Sequence, residues 1–117
     1  MRRIISHELC LFGSDGNALP PDDRFGQPHP RSCGSAPRFA RLLLDQGCAI
    51  EQVCAKLSGN AAVFFSLKNL GSIAAGNHAD ITVFDPETID SKADFSDPFR
   101  LPCGITATVC RGELHRF

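Results

Sequence analysis

The sequence predicts an α/β fold that is incomplete by itself, and three observations predict it. Helical periodicity fills the middle of the chain, apolar/polar alternation fills its last part, and an apolar tetrapeptide near the start has no companion strand. Leu9-Cys10-Leu11-Phe12 is continuously apolar and stops at Gly13-Ser14-Asp15-Gly16, the pattern of a short strand buried on both faces. Such a strand needs a neighbour on each side, and no other N-terminal run supplies one.

From Gly13 to Ala36 the chain is rich in Pro, Gly, Asp and Ser, including Pro20-Pro21-Asp22-Asp23, and lacks any period. So long a loop in a small domain serves a site or belongs to something larger. Pro37 suits the first position of a helix, with Phe39, Leu42 and Leu43 at helical spacing until Gly47. A second helix follows, with Ile50, Val53, Cys54 and Leu57 on one face and Ser58-Gly59 as its end. Asn60 is then placed to cap a third helix running to Leu67. After Gly71 the character changes. Gly76-Asn77 signals a turn, Asp80-Ile81-Thr82-Val83-Phe84 is a strand closed by Asp85-Pro86, and Pro98 and Pro102 bracket a loop. Ile105, Ala107 and Val109 alternate with polar positions up to Arg111-Gly112, which predicts a β-hairpin at the end of the chain. The expected division is 1–70 for the strand, loop and helices and 71–117 for the final strands.

Bulk composition narrows the function classes. The 117 residues are 43% hydrophobic, with 12 basic and 13 acidic side chains giving a formal charge of -1. These charges are scattered, so no basic footprint points to nucleic acid or an anionic membrane. No apolar run approaches the ~20 residues of a membrane span. Met1 to Glu8 lacks the apolar core of a signal peptide, so the expected compartment is the cytoplasm. Six cysteines invite a disulfide framework, but Cys48, Cys54 and Cys110 occupy positions that suit an apolar residue, and buried reduced thiols are expected. There is no CxxC, and His29 with Cys33 is one pair only, short of a zinc ligand set.

At Phe12-Gly13-Ser14-Asp15-Gly16 a family comes into view. This G-S-D-G, followed by His29-Pro30-Arg31 and Gly34-Ser35-Ala36-Pro37-Arg38-Phe39, resembles the C-terminal part of the D-aminoacylases, the N-acyl-D-amino-acid deacylases of the amidohydrolase superfamily. The resemblance continues through Gly76-Asn77-His78-Ala79-Asp80-Ile81-Thr82-Val83-Phe84-Asp85-Pro86 and into Gly104-Ile105 and Arg111-Gly112-Glu113. It implies that Leu9 to Phe12 is the last strand of a (β/α)8 amidohydrolase barrel and that the helices form its outer layer. The final strands are then the C-terminal share of a small β-sandwich. It further implies a zinc enzyme hydrolysing the linear amide bond of N-acyl-D-amino acids.

Within that resemblance Asp15 stands just past a barrel strand, where barrel enzymes place catalytic groups. A carboxylate there takes a proton from attacking water and returns it to the leaving amine, and can also touch the metal. From the residues alone, Asp15 can equally form an Asx turn before Gly16. Arg31 carries a planar fork of donors suited to the substrate carboxylate, or is simply a solvated loop arginine. His29 is a weaker candidate for the same pocket, and His7, His78 and His115 are weaker still. Asp80 reads as a turn residue bonding backbone N–H groups, and Gly16 and Gly34 as sites of tight turns and close approach.

The family's zinc ligands come from earlier strands, so Asp15 is expected to bind metal only with ligands from those strands. The chain alone is therefore expected to hold no zinc and to be inactive, and the missing N-terminal part, as a separate polypeptide, is a candidate partner. Two other functions stand beside this one: a non-catalytic interaction module derived from the deacylase tail, and a cysteine-rich metal or redox domain.

Overall fold

The computed structural model describes residues 2–17 and 26–117 of the chain. Among the described residues, the α-helical segments α1 (Arg2–Ile5), α2 (Arg31–Leu44), α3 (Ile50–Cys54) and α4 (Asn60–Phe64) precede strands β1 (Ile81–Phe84), β2 (Ile105–Cys110) and β3 (Glu113–Arg116). Between α3 and α4 lies a π-helical turn, Ala55–Gly59. Among the described residues no helix is long and apolar enough to cross a membrane.

Helix α2 begins at His29-Pro30-Arg31, not at Pro37. Pro30 already holds helical angles (φ -53°, ψ -25°), and the amides of Ser32 and Gly34 donate to the carbonyls of His29 and Pro30 at 2.9 Å. Pro37 therefore sits inside the helix, where its ring forgoes one backbone bond. Burial of Gly34, Pro37, Ala40 and Leu43 along one stripe offsets that loss. Gly47 (φ +79°) ends the helix in a Schellman motif, with Cys48 N–H donating to Leu43 O at 3.1 Å and Gly47 N–H to Leu44 O at 2.9 Å.

Helical backbone then runs unbroken from Ile50 to Phe64, so the expected end at Ser58-Gly59 and the Asn60 cap are both corrected. Gly59 and Asn60 keep right-handed helical angles, and the Asn60 side chain makes no capping bond. The reason is packing. A β-carbon on Gly59 would lie 3.2 Å from the Gly71 carbonyl, and one on Gly71 would lie 2.4 Å from Ala62 Cβ. Gly59 is thus a contact point and not a stop signal.

The antiparallel sheet has the order β1-β2-β3. Ile81 pairs with Val109 and Val83 with Ala107, and the register shifts at Phe84. Cys110 faces Glu113 across Arg111 (φ +49°) and Gly112 (φ +86°), a two-residue hairpin turn of the type expected. Asp80 anchors it by accepting the Arg111 N–H at 2.7 Å. Ile89, from the segment joining β1 to β2, meets Ala40, Leu43 and Val53 to form the buried core. Arg38 and Arg41 tie α2 to that segment through Asp90 and through the carbonyls of Pro86 and Glu87.

Leu9 to Phe12 forms no strand. Leu9 is 81% exposed, and the segment has no sheet partner. An apolar run becomes a buried strand only when neighbouring strands complete its ladder of hydrogen bonds, and among the described residues no strand pairs with it.

Candidate functional site

The sequence candidates Asp15, Arg31 and His29 are brought together at the start of α2. Asp15 adopts a left-handed conformation (φ +50°), tolerated by aspartate better than by most side chains. The adjoining turn is made by a different residue: Ser14 Oγ accepts the Gly16 N–H at 3.1 Å. The Asp15 carboxylate is thereby spared from turn formation and projects outward, 86% exposed.

Arg31 reaches it from the first turn of α2. Its Nε donates to the Asp15 carbonyl at 2.8 Å, and its Nη2 lies 3.2 Å from Asp15 Oδ2. One of the guanidinium's five N–H donors is thus hydrogen-bonded to Asp15, and the Nη2 contact is an ion pair. Exposure of both partners means solvent screens the pair, so its worth to stability is at most ~1 kcal/mol. Its significance is geometric, because it fixes a carboxylate and a guanidinium side by side at a helix N-terminus.

His29 sets the backbone that carries Arg31. Its Nδ1 accepts the Arg31 N–H at 3.1 Å, and its ring meets Phe95 edge-on with centroids 4.9 Å apart. Asn17 N–H donates to Ser32 Oγ at 3.2 Å, fastening the chain beyond Asp15 to the same helix. Beside Arg31 opens a cavity of about 400 Å³, bordered by Pro30, Ser35, Arg38, Ser91 and Lys92. Ser14 and Ser32 escaped the sequence reading, since isolated serines in a loop carry no spacing signal.

A separate, more apolar groove of about 810 Å³ lies between α2, the π turn and β1, bordered by Phe12, Leu57, Ile73, Ile81 and Phe84. Next to it the stretch from Val63 to Ile73 turns large apolar side chains outward, among them Phe64 and Phe65.

Among the described residues no group of three or more His, Cys, Asp or Glu side chains could hold a metal ion. Asp22 and Asp23 lie outside the described residues. All six cysteines are free, and Cys54 and Cys110 are exposed, correcting the expectation of buried thiols; Cys48 is half-buried. At Cys54 the helix turns away from the core that Val53 enters, and Cys110 ends a strand at the hairpin tip.

The chain as a whole is similar to known proteins. A model described as "Amidohydrolase family" matches residues 3–114. The chain is 33% identical over 115 residues to an N-acyl-D-aspartate deacylase of Alcaligenes xylosoxydans xylosoxydans, and 36% identical over 114 residues to a D-aminoacylase of the same organism. These alignments cover 97% and 96% of this chain but 22% of each relative. A crystal structure of N-acyl-D-glutamate deacylase from Bordetella bronchiseptica, complexed with zinc and a phosphonate mimic of the tetrahedral intermediate, superposes with a TM-score of 0.81 at 34% identity. That match covers 97% of this chain and 23% of the other. A D-aminoacylase crystal structure gives 0.81 at 35% identity. The chain thus spans about a fifth of the length of the relatives it matches.

Proposed function

The chain belongs to the amidohydrolase family, and on that premise we propose that it carries the proton-handling end of a deacylase site for N-acyl-D-amino acids. The observation that bears most weight is the Asp15–Arg31 pair, a solvent-accessible carboxylate held against a guanidinium in a chain similar to zinc-complexed deacylases. In hydrolysis of the linear amide, water adds to the carbonyl carbon, Asp15 accepts its proton, and the same proton passes to the departing nitrogen. The products are a carboxylate and a free D-amino acid. Arg31 meets the substrate carboxylate with the donors not spent on Asp15, and His29 holds Arg31 in register.

Zinc is part of the relatives' chemistry, and this chain's described residues do not provide its ligand set. The metal, and the ligands that would let Asp15 touch it, come on this reading from segments beyond these residues, in the same or another polypeptide. Residues 1–70 then serve as the end of the barrel and 71–117 as the sandwich share. Leu9 to Phe12 becomes a strand only beside those other segments. The 117 residues alone are expected not to hydrolyse substrate.

The direct test replaces the matching fifth of the Alcaligenes D-aminoacylase with this chain and follows hydrolysis of an N-acetyl-D-amino acid. Activity is expected, with Asp15→Asn lowering kcat by about 10²–10⁴-fold. Full activity in that variant would defeat the proposal. A second reading, an interaction module without catalysis, is favoured by the outward apolar stretch at Val63 to Ile73. It predicts a folded chimera that is inactive whatever stands at residue 15.

A further inference from the structure

Lys56 is 6% exposed, and among the described residues its ammonium meets no carboxylate. Its Nζ instead donates to two main-chain carbonyls, those of His7 and of Cys10, the latter at 3.4 Å. Burying a lysine without a counter-ion is unfavourable unless its hydrogens are used, and here they are used on the stretch that leads to Asp15.

The same residue holds that stretch a second time. In a regular α-helix the Asn60 N–H would occupy the Lys56 carbonyl; within the π turn it bonds Ala55 O instead. Lys56 O accepts the Phe12 N–H at 3.3 Å. The Phe12 ring then packs on Phe39 of α2, with centroids 5.2 Å apart. Residues 7–12 are therefore fastened to the π turn, while Asp15 and Asn17 are fastened to the start of α2. Asp15 is thus held directly by α2, and the stretch just before it by the π turn.

We infer that Lys56 is a positioning residue: its side chain and its π-turn carbonyl together fix the His7–Phe12 stretch, so that Asp15 meets Arg31. This rests on the reading of Asp15 as the proton carrier, but its first test does not. In the isotopically labelled 117-residue chain, Lys56→Met is expected to speed hydrogen exchange at the Phe12 amide and at Arg31 Nε–H by about 10-fold or more, leaving the Leu43 and Val53 amides unchanged. Lys56→Arg, which keeps donors at the end of the side chain, is expected to restore protection. In the active chimera, Lys56→Met should lower kcat by about 10-fold with KM little altered, because a misplaced group slows the chemical step.

Unchanged exchange at Phe12 and Arg31 would overturn the inference, as would a loss of protection shared equally by Leu43 and Val53, which marks a purely structural lysine. Should Lys56→Met fail to fold, Lys56→Gln, which keeps a polar end but is too short to hold both carbonyls, carries the same comparison. A chimera indifferent to Asp15→Asn would sink the catalytic reading while leaving the exchange result to stand or fall separately.

Discussion

Gly16 lies so close to Ser32 that a β-carbon at residue 16 would stand 2.8 Å from the Ser32 Cα. The obstacle is backbone in the first turn of α2, which cannot swing aside as a side-chain tip would. Gly16→Ala is therefore expected to lower stability by about 1–3 kcal/mol, read as a shift in the urea midpoint. It should also separate Arg31 from Asp15. An unchanged midpoint would mean that the contact is looser than described.

Arg31 gives the opposite pattern. Because its ion pair with Asp15 is open to solvent, Arg31→Met should change unfolding free energy by less than ~1 kcal/mol. In the chimera the same substitution should raise KM for the N-acyl-D-amino acid. A large stability loss with unaltered KM would reassign Arg31 to a structural role.

Leu43 is fully buried against Ala40, Val53 and Ile89, joining α2, α3 and the β1–β2 connection. Leu43→Ala is expected to cost about 2–5 kcal/mol. Thermal unfolding followed by circular dichroism would check it, and a cost near zero would show that these elements do not share one core.

Asp85 supplies a pH-dependent element. Hydrogen bonds from the Glu87 amide at 2.9 Å, and then from the Thr88 hydroxyl, hold its pKa below the ordinary 3.8. A depressed carboxylate pKa stabilises the fold above the unfolded value and ceases to do so as pH falls through the folded one. The Tm advantage of the parent chain over Asp85→Ala should thus be full at neutral pH and shrink below pH 3.8. A pH-independent difference would rule this origin out.

At the hairpin tip Arg111 adopts φ +49° ahead of Gly112. A left-handed conformation disfavours arginine more than asparagine, so Arg111→Asn should stabilise the hairpin by up to about 1 kcal/mol. Melting temperature decides the matter, and a drop would point to a lost contact of the arginine side chain.

The terminal hairpin was legible because Ile105, Ala107 and Val109 alternate and Arg111-Gly112 supplies the turn. Asp80 as an anchor and Gly34 as a point of close approach were legible too: a β-carbon on Gly34 would meet Ser91 Oγ at 2.6 Å. The helices misled at their ends, since Pro37 resembles a first position and Ser58-Gly59-Asn60 resembles a break, while tertiary burial of Pro37 and the Gly59–Gly71 contact override both. Asp15, Arg31 and His29 could be named from their motif, but their meeting across the loop could not. Lys56 carried one faint signal, standing three residues after Val53 on the inward side of a helix.

The wide turn at Ala55–Gly59 makes regularity a disadvantage. Removing one residue there would give a more uniform rod in which the carbonyl now offered to Phe12 is consumed by the helix's own amide, and the neighbouring stretch of chain would lose its berth. A local irregularity, often costly to a helix in isolation, is here what leaves the helix something to offer outside itself.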